Sequence, residues 1–294
     1  MKNIFVLIIL SVLFFSACEQ EITIDLPQPE ATMVVEGWIE NDEYPVVVLT
    51  RNSSYFDPID STYLVDSLFI TDAIVVVSNG ILEDTLQLVV DFNNLMTNTW
   101  PYVYYKGSKF TGIVNGSYSL RIEAEGKVIT GFTTIPQPHG FDTLWWEPDE
   151  PEYDTLGYIW ATFSDPPAEK NYYRIFTRRL GRDGGDIPLF GSVYDDVYFA
   201  GESITFSFFR GISSIEDDSA YADEEFGYWK KGDTVIVRVS TMDVAHYDFW
   251  TSAEQEMFSG GNPFANPTTI RHNVQGAVGV FGGYGSVYDT LIIQ

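Results

Sequence analysis

Hydrophobic and polar residues alternate in short runs along most of this chain, and turn-forming residues bound the runs. Residues 31–39 (ATMVVEGWI) and 45–50 (PVVVLT) are Val-rich and of strand length, with Asn41-Asp42-Glu43 between them. Residues 73–78 (AIVVVS) meet Asn79-Gly80, a dipeptide that favours a type I′ hairpin because both positions tolerate positive φ. Residues 81–90 are then expected to form the return strand. Residues 117–123 (SYSLRIE) alternate cleanly and turn at Glu125-Gly126-Lys127 into 128–134. Strands this short and this closely spaced predict antiparallel sandwiches, not alternating βαβ units.

Ile135-Pro136-Gln137-Pro138 interrupts the pattern, since two prolines cannot continue a central strand. Beyond it, strands are expected at 158–163, 172–178, 204–209, 234–241, 274–281 and 289–293. One helix is expected at about 243–259. There Val244, Tyr247, Trp250, Ala253, Met257 and Phe258 recur at helical spacing, Asp243 caps the start, and Gly260-Gly261 ends it. The expected fold is therefore mainly β: two antiparallel β-sandwich-like domains, an Ig-like one at 31–136 and another at 139–294, with one helix in the second. No fixed-period repeat suggests a solenoid or propeller.

Residues 1–18 do not belong to that pattern. Lys2 gives a short basic start, 4–15 is apolar apart from Ser11, and Ser16-Ala17-Cys18 closes the segment with small residues. This is the plan of a secretory signal, too short for a stable membrane span. The small-small-Cys ending resembles a bacterial lipobox, with Phe15 where Leu is usual. The one Cys of the chain stands at that spot. The expectation is a signal peptide at 1–17, an acylated Cys18 and a tether at 18–30; the alternative is an ordinary signal peptide. Acyl chains bury methylenes at roughly 0.8 kcal/mol each, which anchors an otherwise soluble domain. Glu19-Gln20-Glu21 resembles a surface-export signal, which favours the cell-surface leaflet over a merely acidic tether.

Charge narrows the partners. The chain has 16 Lys and Arg against 42 Asp and Glu, a net −26 that repels phosphate backbones and excludes a nucleic-acid binder. Catalytic signatures are missing as well. The three His (139, 246, 272) form no HExxH, and no G-x-S-x-G elbow occurs. Glycines 276, 279, 282, 283 and 285 precede no Lys-Ser/Thr, so they predict close approach between strands and not a phosphate loop.

Three sets of side chains remain as candidates. Trp100, Tyr102, Tyr104 and Tyr105, with Trp145 and Trp146 past the prolines, are aromatics that stack on sugar rings or anchor an interface if exposed, and pack the core if not. Glu216, Asp217, Asp218, Asp223, Glu224 and Glu225 supply hard oxygen donors for calcium, although without the spacing of a calcium loop; a solvated acidic face is the alternative. Asp followed by Ser or Thr and then a small or aliphatic residue resembles an O-glycosylation triplet. It puts candidate acceptors at Ser61, Ser67, Thr85, Thr143, Thr155, Ser219, Thr234 and Thr290. The alternative is that Asp ends a turn and Thr begins the pleat.

The stretches VVEGWIEN (34–41), VVVLTRN (46–52), GSYSLRIEAEGKVITGFTTIP (116–136) and NPFANPTTIRHNVQGAVGVFGGY (262–284) resemble an uncharacterised family of Bacteroidetes outer-membrane lipoproteins. Its members carry a domain of unknown function over nearly the whole mature chain and are often encoded beside a TonB-dependent receptor. The resemblance implies an outer-membrane address and a transporter as partner, and brings no catalytic or binding residues with it. The expected role is a non-enzymatic accessory that captures ligand for the transporter or caps it. The alternative is a free-standing surface module that binds glycan or other polymer through exposed aromatics.

Overall fold

The computed structural model describes residues 32–52, 68–96, 99–150, 153–167, 169–211, 226–259 and 269–294. The architecture is mainly β, as the alternation predicts. An eight-stranded sheet has the order β12 (Ile187–Asp195), β11 (Tyr172–Arg179), β15 (Thr234–Met242), β17 (Val278–Ile292), β1 (Met33–Glu40), β2 (Val46–Arg51), β6 (Val103–Lys106), β5 (Gln87–Val90). A five-stranded sheet runs β16 (Val274–Gln275), β8 (Lys127–Thr134), β7 (Ser117–Ala124), β3 (Ile74–Ser78), β4 (Glu83–Thr85). The third sheet holds β13 (Ser203–Phe208), β10 (Tyr153–Ser164) and β14 (Trp229–Lys230), with β9 (Thr143–Glu150) against β10. Helices α1 (Phe92–Met96) and α2 (Val244–Ser259) complete the described elements.

Register decides which residues share a face. Val35 stands beside Gly279 and Val235 beside Leu291, so the odd-numbered positions of β1, β15 and β17 lie on one side of the large sheet. That side carries two cores. One, under the five-stranded sheet, includes Val35, Ile39, Val47, Leu120, Ile122 and Phe281. The other, under the third sheet, includes Ile159, Ala161, Ile175, Trp229, Val237 and Ile293.

The expected division at 136–139 needs correction here. Strands β1, β2, β5 and β6 precede the prolines, whereas β11, β12, β15 and β17 follow them, and all eight form one sheet. The joint is the parallel pairing of β1 with β17, and β16 likewise returns to pair with β8. Ala31–Gln294 is one compact unit. The prolines do end β8, but the chain then crosses the face of β17 instead of departing from it. A Cβ at Gly283 would come within 2.2 Å of the Thr134 carbonyl oxygen, and one at Gly285 equally close to that of Pro136. The Pro136–Pro138 stretch therefore separates two cores that share a sheet.

Two local expectations also change. Asn79-Gly80 does not make a two-residue hairpin: Ser78 pairs with Glu83, leaving a four-residue loop in which the Asn79 side chain accepts the Ile81 and Leu82 N–H groups at 3.0 and 2.8 Å. The tight turn with positive φ at both positions is Glu125-Gly126, at 50° and 73°. The return strand after Gly80 is split as well, β4 joining the five-stranded sheet and β5 the edge of the large one.

Helix α2 lies where the spacing placed it and packs on the even-numbered side of the large sheet. Its buried residues are His246 and Ser252, while Val244, Met257 and Phe258 of the expected apolar stripe are exposed. The sheet surface beneath it is mixed: Phe176, Met242 and Tyr284 meet Tyr247 and Trp250 of the stripe, while Arg174 and Ser192 add polar groups, so the helix presents a partly polar face in return.

Candidate functional site

Strand β10 positions two surfaces at once. Its odd residues Ile159, Ala161 and Phe163 are buried, and its even residues Tyr158, Trp160 and Thr162 point outward. Pairing with β9 sets Trp160 opposite Trp145 and Tyr158 opposite Glu147. The Trp145 and Trp160 rings are nearly parallel, 17° apart with centroids 6.2 Å apart, and the Trp145 indole donates to Glu147 Oε1 at 2.9 Å. Tyr158 continues the row, 5.2 Å from the Phe209 ring and 5.0 Å from Tyr228. The Tyr158 hydroxyl donates to that of Tyr228 at 3.2 Å, and Tyr228 donates to Asp149 Oδ2 at 2.9 Å. Those hydrogen bonds, to Tyr158 first and Asp149 next, raise the Tyr228 phenol above its ordinary range. Thr162 and Thr205 pair their hydroxyls at 3.2 Å on the same side. An outward row of rings flanked by hydroxyls and carboxylates results.

The inner side of the same sheet does not close fully onto the large one. A cavity of about 360 Å³ lies there, within the range of small-molecule sites. Phe141, Phe163, Tyr173, Tyr194, Phe199 and Phe206 supply its rings. The rings brace one another edge to face, Phe163 against Tyr173 at 4.9 Å and Phe141 against Phe163 at 5.9 Å. Tyr173 donates its hydroxyl to buried Asp165 at 2.5 Å, and Asp165 also accepts the Gly201 N–H at 3.2 Å. Burial first, and Asp165 next, push the Tyr173 phenol far up. Tyr194 rises to about 12 through burial and the Glu254 charge. Neutral rings with carboxylates behind them thus form the wall.

The opposite face of the large sheet holds a charged network that fastens α2. Buried Arg174 donates to Ser192 Oγ at 3.1 Å and to Tyr284 Oη at 2.9 Å, and its guanidinium lies 3.5 Å from the Trp250 ring centroid. Ser192 in turn donates its backbone N–H to both oxygens of Glu254 on the helix. Arg238 sits 3.2 Å from both Glu40 and Asp186, over the Phe176 ring at 3.7 Å. Burial works against its charge, but Glu40 and Asp186 outweigh that cost and hold it protonated. Glu40 also accepts the Tyr288 hydroxyl at 2.6 Å. Buried His246 accepts the Trp250 indole N–H at 3.0 Å, and burial lowers its pKa from 6.5 to about 4. Asp243 caps the helix through the His246 N–H at 2.9 Å and accepts the Thr133 hydroxyl at 2.7 Å. This network joins sheet, helix and β8.

The expected aromatic set is distributed by these faces. Tyr102 and Tyr105 are buried, Tyr104 is half-buried, and Trp100 is 39% exposed but packs on Phe69 and Tyr102 and donates to Glu36 at 3.1 Å. Burial raises the Glu36 carboxyl, against the opposing pull of Arg174 and Trp100. Trp146 turns inward to the core, its indole 3.4 Å from the Trp229 carbonyl, whereas Trp145 turns outward. Trp100, in the loop before β6, and Trp145, on β9 of the third sheet, therefore stand apart. Trp160, Tyr158 and Tyr228 were missed, although alternation through 158–164 already signals the outward pair.

Of the candidate glycan acceptors, Thr85, Thr143, Thr155 and Thr290 are exposed and Thr234 is half-buried. Asp84, which precedes Thr85, is fully buried and accepts the Ser108 and Lys109 N–H groups, so it serves the loop it closes. Cys18, Ser61, Ser67, Ser219 and the acidic residues Glu216, Asp217, Asp218, Asp223, Glu224 and Glu225 lie outside the described residues. Among the described residues, no group of three or more His, Cys, Asp or Glu is placed to hold a metal ion, and no helix is long and apolar enough to cross a membrane.

Shared large sheet, two smaller sheets on one side and a helix on the other define a β-rich, sandwich-like scaffold with aromatic surfaces on its third sheet. The chain belongs to the DUF4249 family, a domain of unknown function whose model matches residues 19–289. No curated protein matches it.

Proposed function

We propose that this is a lipid-anchored, non-enzymatic protein of the outer membrane that serves a TonB-dependent transporter, capturing ligand for it or capping it. The observation that supports this best is where the compact unit begins. It starts at Ala31, directly after the 18–30 stretch that reads as an acylated tether. A tethered body is confined to the membrane plane, which raises its effective concentration beside a partner without a tight interface. Purification of the native, acylated chain from detergent-extracted membranes tests the reading. A large barrel protein should co-purify reproducibly, and the Cys18→Ser variant should leave the membrane fraction. Repeated recovery without a barrel, or membrane retention of Cys18→Ser, overturns it.

The outward row of Trp145, Trp160 and Tyr158 favours a second reading, a free-standing module that binds glycan. Ring faces stack on the apolar faces of sugars, while neighbouring Glu147, Asp149 and Thr162 accept or donate hydrogen bonds to hydroxyls. Pull-down on insoluble polysaccharides decides it. Trp145→Ala and Trp160→Ala should abolish retention and Trp100→Ala should not; equal retention of all three variants and wild type sinks it.

A further inference from the structure

We infer that the cavity between β10, β13 and the large sheet is a binding site for a small cyclic apolar molecule that carries no negative charge. This goes beyond the proposed function and does not depend on it.

Native interiors interdigitate at close to crystal density, with few voids larger than a water molecule. Here six large aromatic side chains line a pocket of about 360 Å³, open on one side, that their rings leave unfilled. The gap is not a product of loose loops, because most of its walls stand on strands of fixed register. Phe163 comes from β10, Tyr173 from β11, Tyr194 from β12, Phe206 from β13 and Val239 from β15. Its rim is formed by β12 and β13, the outermost strands of their sheets, so a ligand can enter where neither sheet continues.

The lining also selects for charge. Among the described residues it contains no Lys or Arg, and Ser207 is its one aliphatic hydroxyl. The Tyr173 hydroxyl is already committed to Asp165, and Glu254 acts on Tyr194 from behind the wall. An anionic ligand would meet like charge without a counter-ion. Ring faces, by contrast, attract both apolar rings and organic cations.

Thermal melting of the full chain with water-soluble probes tests the site. Indole and phenyltrimethylammonium should each give a saturable rise in Tm, and benzoate, of similar size, should give none. Ile204→Trp fills the space from the β13 rim; it should melt at or above wild type and lose the response to both probes. If that variant does not fold, Val239→Phe fills the cavity from the other wall and carries the same expectation. The inference is overturned if neither indole nor the cation raises Tm, if benzoate matches them, or if a folded filling variant responds as wild type does. Those failures would leave a co-purifying transporter untouched.

Discussion

His246 occupies the space that a side chain at residue 282 would need. A Cβ built on Gly282 would fall 2.0 Å from His246 Cε1 and 2.1 Å from Nδ1. The imidazole thus lies flat on bare β17 backbone, with Tyr284 4.5 Å away and the Trp250 indole donating to Nε2. This contact joins the Arg174, Glu254 and Asp243 network in seating α2 against the large sheet.

Gly282→Ala should therefore overpack the helix contact and cost about 1–3 kcal/mol of stability. His246→Ala alone removes packing and a hydrogen-bond acceptor and should also destabilise. Combined, the two changes should cost less than their sum, since the truncated histidine leaves room for the methyl group. Chemical denaturation of the four-member cycle measures the coupling, and strict additivity would contradict the shared space.

Burial also makes His246 a determinant of acid sensitivity. The unfolded chain takes up this proton near pH 6.5, whereas the folded chain resists it until about 4. Its neutral form therefore contributes stability above pH 6.5, and that contribution is lost as pH falls toward 4, by roughly 3 kcal/mol in all. The His246→Phe variant should show a flatter loss of unfolding free energy across this window. Equal slopes in both proteins would exclude the histidine as the cause.

Arg238 holds two carboxylates on a sheet face that water barely reaches. Replacing it with Met removes the cation that Glu40 and Asp186 share; Asp186 keeps Arg178 at 3.4 Å, while Glu40 loses its ion-pair partner. A loss of about 3–5 kcal/mol is expected, as for other buried pairs broken on one side. Adding Glu40→Gln should recover part of that loss, a result that a purely steric defect would not give. Guanidinium denaturation curves of the single and double variants distinguish the two.

The exposed threonines of the Asp-Thr-Leu triplets offer a separate check on the cell-envelope reading. Intact-mass measurement of native protein should show glycan at one or more of Thr85, Thr143, Thr155 and Thr290, abolished by Thr→Ala at the modified position. A mass accounted for by polypeptide and lipid alone rejects the modification.

Much of the local structure was legible because it is set by neighbours in the chain. Alternation in residues 117–123 became β7, and the capped pattern from Asp243 became α2. Where two turn signals competed, the stronger dipeptide was overruled. Asn79-Gly80 yielded to a wider loop because Asn79 uses its side chain to hold Ile81 and Leu82, while Glu125-Gly126 took the tight turn that flanking register demanded. The aromatic site was only half visible. Trp145 and Trp146 are adjacent and chemically alike, and pleating alone sends one outward and the other into the core.

By itself, then, the sequence determined many of the strands, the helix at 244–259, the acidic charge and the glycines at 282, 283 and 285, since each follows from period, capping or composition within a few residues. Strands β9 and β12 were not expected, and the separate runs expected at 274–281 and 289–293 are largely one strand, β17. Only the tertiary structure decided that strands from both sides of Pro136 share one sheet, that the helix turns a partly polar face inward, and that β10 separates an aromatic row from an aromatic cavity. The first of those outcomes depends on the pairing of β1 with β17. That contact joins residues more than two hundred positions apart, and no local pattern encodes it.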